Sequence, residues 1–220
     1  MNDAPLSNPP GALAAIEQDT RELGFGMASE PRTGALLRAL AASKPGGRFL
    51  EVGTGTGIGT SWILAGMDSS SRLDSIDNDQ GVLAVARRHL DSDSRVTFHL
   101  GDGAAILADL PAGQFDFIYA DAWPGKFTDL EAALSLMRGG GLYVIDDLLP
   151  QTNWPDGHAA KVAALIADLE ARADYTSVRL AWASGLMILT RRSRTAGPAA
   201  RRGCANVAGQ VRRAAPVPWF

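Results

Sequence analysis

Residues 49–59 read Phe49-Leu50-Glu51-Val52-Gly53-Thr54-Gly55-Thr56-Gly57-Ile58-Gly59. An apolar run of strand length enters a glycine-rich turn, and a helical segment follows. Glycines in such a turn permit positive φ and let a ligand approach the backbone closely. The dinucleotide pattern G-x-G-x-x-G fails in both registers, because Ile58 or Thr60 stands where the third glycine is needed. The phosphate-loop pattern fails as well, since no Gly-Lys-Ser/Thr follows. Glu51, two residues before the first glycine, would repel a pyrophosphate and welcome a cofactor with a cationic amino-acid end.

The surrounding pattern fixes the fold class. Apolar runs at Arg48–Val52, Arg72–Asp77, Arg95–Leu100, Phe115–Asp121 and Gly141–Asp146 alternate with helical segments at Ile58–Met67, Asp79–Leu90, Ala104–Asp109, Lys126–Met137 and Gly157–Ala173. Such alternation specifies an α/β fold, a Rossmann-like doubly wound sheet covered by helices on both faces. Thr176–Trp182 and Leu186–Arg191, joined by Ala183-Ser184-Gly185, read as a hairpin that adds an antiparallel strand at or near the edge. The sheet expected is seven-stranded. Residues 13–45 form a helical extension with Leu36, Leu37 and Leu40 on its buried stripe. The organisation is one domain over 13–192, between a flexible terminus (1–12) and a disordered tail (193–220).

Charge narrows the partners. Residues 191–220 hold seven arginines and no acid, leaving 14 of the 21 Lys and Arg against all 24 acids in the rest. An acidic body argues against a nucleic-acid platform and suits a small or cationic ligand. No apolar run reaches about 18 residues, the start lacks the regions of a secretory signal, and Cys204 is the single cysteine. A cytoplasmic protein without a membrane span is expected.

Further acids fall at successive strand ends. Asp77 is 24 residues past Gly53, near the spacing at which a carboxylate meets ribose hydroxyls. Asp102, in Gly101-Asp102-Gly103-Ala104, is placed to accept from an exocyclic amine such as adenine's. Asp121, Asp146 and Asp147 end the fourth and fifth strands. Carboxylates brought together repel unless protonated or bound to a cation, so they read as a hard-metal site or as loop and helix caps.

Taken together, Glu51 to Gly57, Asp77, Asp102 and the terminal hairpin resemble the class I S-adenosylmethionine-dependent methyltransferases, and most closely the small catechol and caffeoyl-CoA O-methyltransferases. The resemblance runs from about Gly26 to Arg191. It implies a methyl transfer from S-adenosylmethionine to a hydroxyl of a small acceptor. It implies that Glu51, Gly53, Thr54, Gly55 and Gly59 hold the methionine moiety, that Asp77 with Asn78 holds the ribose, and that Asp102, Gly103 and Ala104 flank the adenine. Gly26 to Glu30, including Met27, with Gly34, resemble the segment lying over the cofactor. Asp121 matches the first metal acid of the family and Asp146 the second, which implies a divalent cation, Mg²⁺ above all. Asp147 stands where the family usually has Asn. The family's general-base Lys is replaced by Pro124, and Lys126, two residues on, is the candidate substitute beside Asp121. His158 is a further candidate base; His89 and His99 take no role. Trp123 and Trp154 are candidate walls for an aromatic acceptor, Leu148–His158 a candidate acceptor loop, and Trp62 and Trp182 core residues. A homodimer is a further expectation. The competing readings are a metal-independent methyltransferase acting on oxygen or nitrogen, and a binding module without catalysis.

Overall fold

The computed structural model describes residues 8–152 and 154–193. The arginine-rich tail beyond 193, residues 1–7 of the N-terminal segment and Asn153 lie outside the described residues. Two helices, α1 (Leu13–Leu23) and α2 (Pro31–Ala42), precede β1 (Arg48–Val52). Then follow α3 (Ile58–Gly66), β2 (Arg72–Asp77), α4 (Gln80–Leu90), β3 (Val96–Leu100), α5 (Gly103–Asp109) and β4 (Phe115–Ala120). The chain continues as α6 (Leu130–Ser135), β5 (Met137–Ile145), α7 (His158–Ala171), β6 (Tyr175–Leu180) and β7 (Leu186–Arg191).

The seven strands form one sheet in the order β3-β2-β1-β4-β5-β7-β6, parallel except where β7 runs against both β5 and β6. Strand residues alternate between two cores, because successive side chains point to opposite faces. Phe49, Phe117 and Tyr119 pack under α1 to α4 with Leu37, Trp62 and Leu83. Their neighbours Leu50, Ile118 and Ala120 pack under α5 to α7 with Leu107, Leu134 and Leu165. Leu37 is fully buried, while Leu36 and Leu40 lean on the same core part-buried. Trp62 is core, and the Trp182 indole is tied down by its N–H donating to the Arg32 carbonyl at 2.9 Å.

The connections on either side of β1 wind in opposite directions, so a crevice opens at the carboxyl ends of β1 and β4, the usual ligand position in open α/β sheets. The expected helix Lys126–Met137 is corrected to a tight turn followed by the short α6. Gly125 (φ +81°) and Asp129 (φ +54°) are left-handed and interrupt helical pairing. The Trp123 carbonyl accepts instead from the N–H groups of Lys126, Phe127 and Thr128, at 2.9–3.1 Å. The strand after it starts four residues earlier than expected, at Met137, because an irregularity in the β4–β5 pairing lets Met137 pair with Phe115 while Leu142 pairs with Phe117. Gly34 is corrected too. It lies in α2 against α3, where a Cβ would come within 2.2 Å of the Trp62 ring, and has no place over the crevice.

Candidate functional site

The turn after β1 is anchored from both neighbours. The N–H groups of Gly53 and Thr54 donate to the Ile76 carbonyl of β2, and the Asp121 N–H donates to the Val52 carbonyl. Gly53 adopts φ +100°, and a Cβ on it would sit 2.7 Å from the Asp121 carbonyl oxygen. Only glycine lets the turn press this closely against the segment after β4.

This turn floors a cavity of about 450 Å³. Met27, Gly53, Thr54, Gly55, Gly59, Asp77, Asn78, Gly103 and Asp121 all line it. Asp102 and Ala104 do not; the Asp102 carboxylate caps α5 instead, accepting from the Ala105 N–H at 3.0 Å. Ser29, from the segment expected over the cofactor, lines it too, and Phe25 and Trp123 add aromatic walls that the spacing of the acids does not predict. The Asp77 carboxylate accepts from the Gly55 N–H at 2.7 Å and from the Asp79 N–H at 2.9 Å, which orders both the turn and the start of α4.

Glu51 lies directly beneath, wholly inaccessible to solvent. Its Oε2 accepts from Thr60 and, at 2.6 Å, from Ser75, but Oε1 has no partner among the described residues. A buried acceptor without a donor is costly, and its presence points to a donor that arrives with a ligand. Gly59 borders the cavity, and a Cβ there would stand 2.7 Å from Oε1, so glycine keeps side-chain bulk out of the space between that oxygen and the cavity. Burial pushes the Glu51 carboxyl up to about 7, with the charge of Asp77 adding to it and the Ser75 and Thr60 bonds opposing it. These features fit a ligand bearing an ammonium and ribose hydroxyls, and they do not fit a diphosphate.

A second cavity of about 370 Å³ shares the wall formed by Met27 to Ser29 and Asp121 to Trp123. It holds the acids expected at the strand ends together with Lys126, Phe127, Trp154 and His158. His158, at the start of α7, is only 8% exposed and forms the centre of an aromatic group, with ring centroids 4.6 Å from Trp154, 5.0 Å from Phe127 and 6.2 Å from Trp123. Burial, then the charges of Lys126 and Lys161, hold its imidazole below the usual histidine range, hence neutral. Lys161 places its ammonium 4.3 Å from the centroid of the Trp123 ring. Trp154 is local to His158, four residues upstream, but Trp123 and Phe127 come from the turn after β4 and are brought there only by the fold.

The three carboxylates sit together at one end of the sheet, but not as a set of free ligands. Asp146 is buried; its Oδ1 accepts from Ser184 and from the Asp147 N–H at 2.7 Å, and its Oδ2 from the Tyr119 hydroxyl at 2.8 Å. Asp121 Oδ2 lies 3.1 Å from the same hydroxyl and 3.2 Å from Ser29 Oγ. Among the described residues, no three His, Cys, Asp or Glu side chains gather closely enough to hold a metal ion. Burial, followed by Asp146 and Asp147, raises the Asp121 carboxyl well above the carboxylate range, and Lys126 acts against this. Burial likewise raises Asp147, with Lys126 opposing. Sequence spacing does not single out Tyr119 or Ser184: one sits next to last in the apolar run of β4, the other in the hairpin turn 38 residues past Asp146.

Comparison with known proteins agrees with this arrangement. A family model described as a methyltransferase domain matches residues 50–148. A protein of Mycobacteroides abscessus that is named as an O-methyltransferase is 30% identical over 207 residues, covering 86% of this chain and 95% of that protein. The crystal structure of the O-methyltransferase TomG from Streptomyces achromogenes, in complex with S-adenosylmethionine, superposes with a TM-score of 0.73 at 25% identity, over 86% of this chain and 92% of that one. An O-methyltransferase from Bacillus cereus in complex with S-adenosylhomocysteine shares the fold, with a TM-score of 0.74 at 20% identity, over 85% and 93% of the two chains. The chain therefore belongs to the O-methyltransferases within the class I S-adenosylmethionine-dependent methyltransferases.

Proposed function

We propose that the protein methylates a hydroxyl of a small aromatic acceptor. In this reading S-adenosylmethionine is held in the larger cavity and the acceptor in the smaller one. The observation that carries it is the shared wall: Asp121, Ala122 and Trp123 border both cavities, together with Met27, Ala28 and Ser29. Two ligands lodged on either side of one short segment meet at its edge, and holding two reactants at attacking distance supplies much of a transferase's rate.

The cofactor supplies a methyl group activated on a sulfonium. Glu51 and Asp77 would face its ammonium and its ribose, and the backbone from Gly53 to Gly55 would lie along its amino-acid end. Trp123, Phe127, Trp154 and His158 give the second cavity flat apolar surfaces with polar edges, which suit an aromatic ring bearing a hydroxyl. The hydroxyl must lose its proton as the methyl arrives. The neutral imidazole of His158 is the base offered by this cavity, and the buried Lys126 ammonium, 5% exposed, stabilises negative charge on the acceptor oxygen. The donor set does not fit a resident divalent cation, because the Tyr119 hydroxyl stands between Asp121 and Asp146 and both oxygens of Asp146 are engaged by hydroxyl and amide donors. Charge and proton are therefore handled here by protein groups.

The test is a screen of catechols, hydroxycinnamoyl thioesters and other phenols with methyl-labelled cofactor. Label should pass to a phenolic oxygen, and His158→Ala should lower kcat while leaving S-adenosylhomocysteine binding intact. Transfer to nitrogen only, or no transfer to any acceptor despite cofactor binding, contradicts the reading.

A further inference from the structure

Tyr119 is the last aromatic side chain of β4, and no part of the methyl transfer derived above uses it. It is fully buried, with its ring in the core beneath α1 to α4. Its hydroxyl oxygen lies 2.8 Å from Asp146 Oδ2, 3.1 Å from Asp121 Oδ2 and 3.1 Å from Ser29 Oγ. These three neighbours come from three separate segments: the ends of β5 and β4, and the stretch before α2. A Mg²⁺ or Mn²⁺ ion shared by Asp121 and Asp146 would need oxygens from both at about 2.1 Å. The phenol oxygen already stands between those two carboxylates. The ring is locked by core packing, so the hydroxyl cannot swing aside without disturbing the sheet. Asp146 has its other oxygen occupied as well, by Ser184 and the Asp147 amide. Lys126 adds the second element: a buried ammonium in the same cavity as all three acids. A protonated side chain and a bound cation compete for the same negative field.

We propose that the Tyr119 hydroxyl and the Lys126 ammonium together take the place of a divalent cation among Asp121, Asp146 and Asp147, so that this site is built to work without a metal. The proposal rests on the smaller cavity being the acceptor site of a methyltransferase. Binding of S-adenosylhomocysteine, measured on the same samples, separates the two: its loss would sink the functional reading and leave the cation question standing.

The probe is Mn²⁺ alone, titrated into the full chain and followed by electron paramagnetic resonance. The wild-type protein should show no stoichiometric site below millimolar Mn²⁺. The double variant Tyr119→Phe, Lys126→Met removes both stand-ins and leaves the carboxylates exposed to one another. It should gain one Mn²⁺ site per chain, at least tenfold tighter than anything in the wild type. Where the double variant does not fold, as judged by circular dichroism, Tyr119→Phe alone is read by the same criterion. The proposal is overturned if the wild type binds one Mn²⁺ at micromolar concentration and Asp121→Asn or Asp147→Asn removes it. It is equally overturned if a folded variant binds Mn²⁺ no better than the wild type, since the carboxylates would then be no latent cation site.

Discussion

The Gly55 N–H donates to the Asp77 carboxylate at 2.7 Å, joining the glycine turn after β1 to the end of β2. One contact thus shapes the turn and fixes the acid that faces the larger cavity. Replacing Asp77 by Asn keeps an acceptor for Gly55 but removes the negative charge. Charged hydrogen bonds contribute about 1.5–3 kcal/mol. Asp77→Asn should therefore weaken S-adenosylhomocysteine binding by about tenfold to a hundredfold, while circular dichroism and the melting temperature change little. An unaltered affinity by calorimetry would remove Asp77 from the binding role.

Gly53 makes a sharper test of the turn itself. Its φ of +100° and the 2.7 Å approach of a Cβ to the Asp121 carbonyl leave no room for alanine without backbone movement. Strain of this kind costs about 1–3 kcal/mol. Gly53→Ala should lower both the melting temperature and the affinity for S-adenosylhomocysteine, and wild-type behaviour in both would contradict the close packing described.

The buried Glu51 carboxyl ties stability to pH. An unfolded glutamate titrates near 4.5 and this one near 7, so between those values the folded state holds a proton that the unfolded state releases. Its contribution is complete below about pH 4.5 and is lost as pH rises through 7, on the order of 3 kcal/mol in total. Denaturant titrations at pH 5 and pH 8 should show this loss in the wild type, and Glu51→Gln should reduce it. The ammonium of a bound ligand favours the ionised carboxyl, so S-adenosylhomocysteine affinity should rise through the same range. A variant with the wild-type pH slope would assign the effect elsewhere, for instance to the raised Asp121.

Most of the sheet was legible because the central parallel strands β1 and β4 are short apolar runs buried on both faces, each followed by glycine or acid. The helix expected from Lys126 was not. Its apolar spacing is helical, yet the left-handed Gly125 and Asp129 and the Trp123 carbonyl that collects three N–H groups are set by tertiary contacts, among them the Tyr143 hydroxyl donating to the Gly125 carbonyl at 2.5 Å. Of the residues lining the larger cavity, those on the turn and at the end of β2 could be placed from spacing, because strand ends are fixed by the fold. Asp102 shows why spacing alone is ambiguous: an acid before a helix serves equally as its cap, and the Ala105 amide donates to it here. Tyr119 and Ser184 were out of reach, since their importance lies in which carboxylates they meet across the sheet.

The packing of α2 on α3 gives a stability prediction independent of the site. A Cβ on Gly34 would fall 2.2 Å from the Trp62 ring, which is itself buried. Overpacking of this kind costs about 1–3 kcal/mol. Gly34→Ala should lower the melting temperature while leaving ligand stoichiometry at one, and an unchanged melting temperature would mean the two helices are not in such close contact.

The central claim is that the larger cavity, floored by Gly53 and underlain by Glu51, accepts a sulfur-linked adenosyl amino acid. Isothermal calorimetry of the wild-type chain with S-adenosylhomocysteine tests it most directly. One site per chain is expected, weakened by Asp77→Asn and untouched by Trp154→Ala, which lines the smaller cavity alone. Absence of binding heat and of any melting-temperature shift at millimolar ligand would contradict the account.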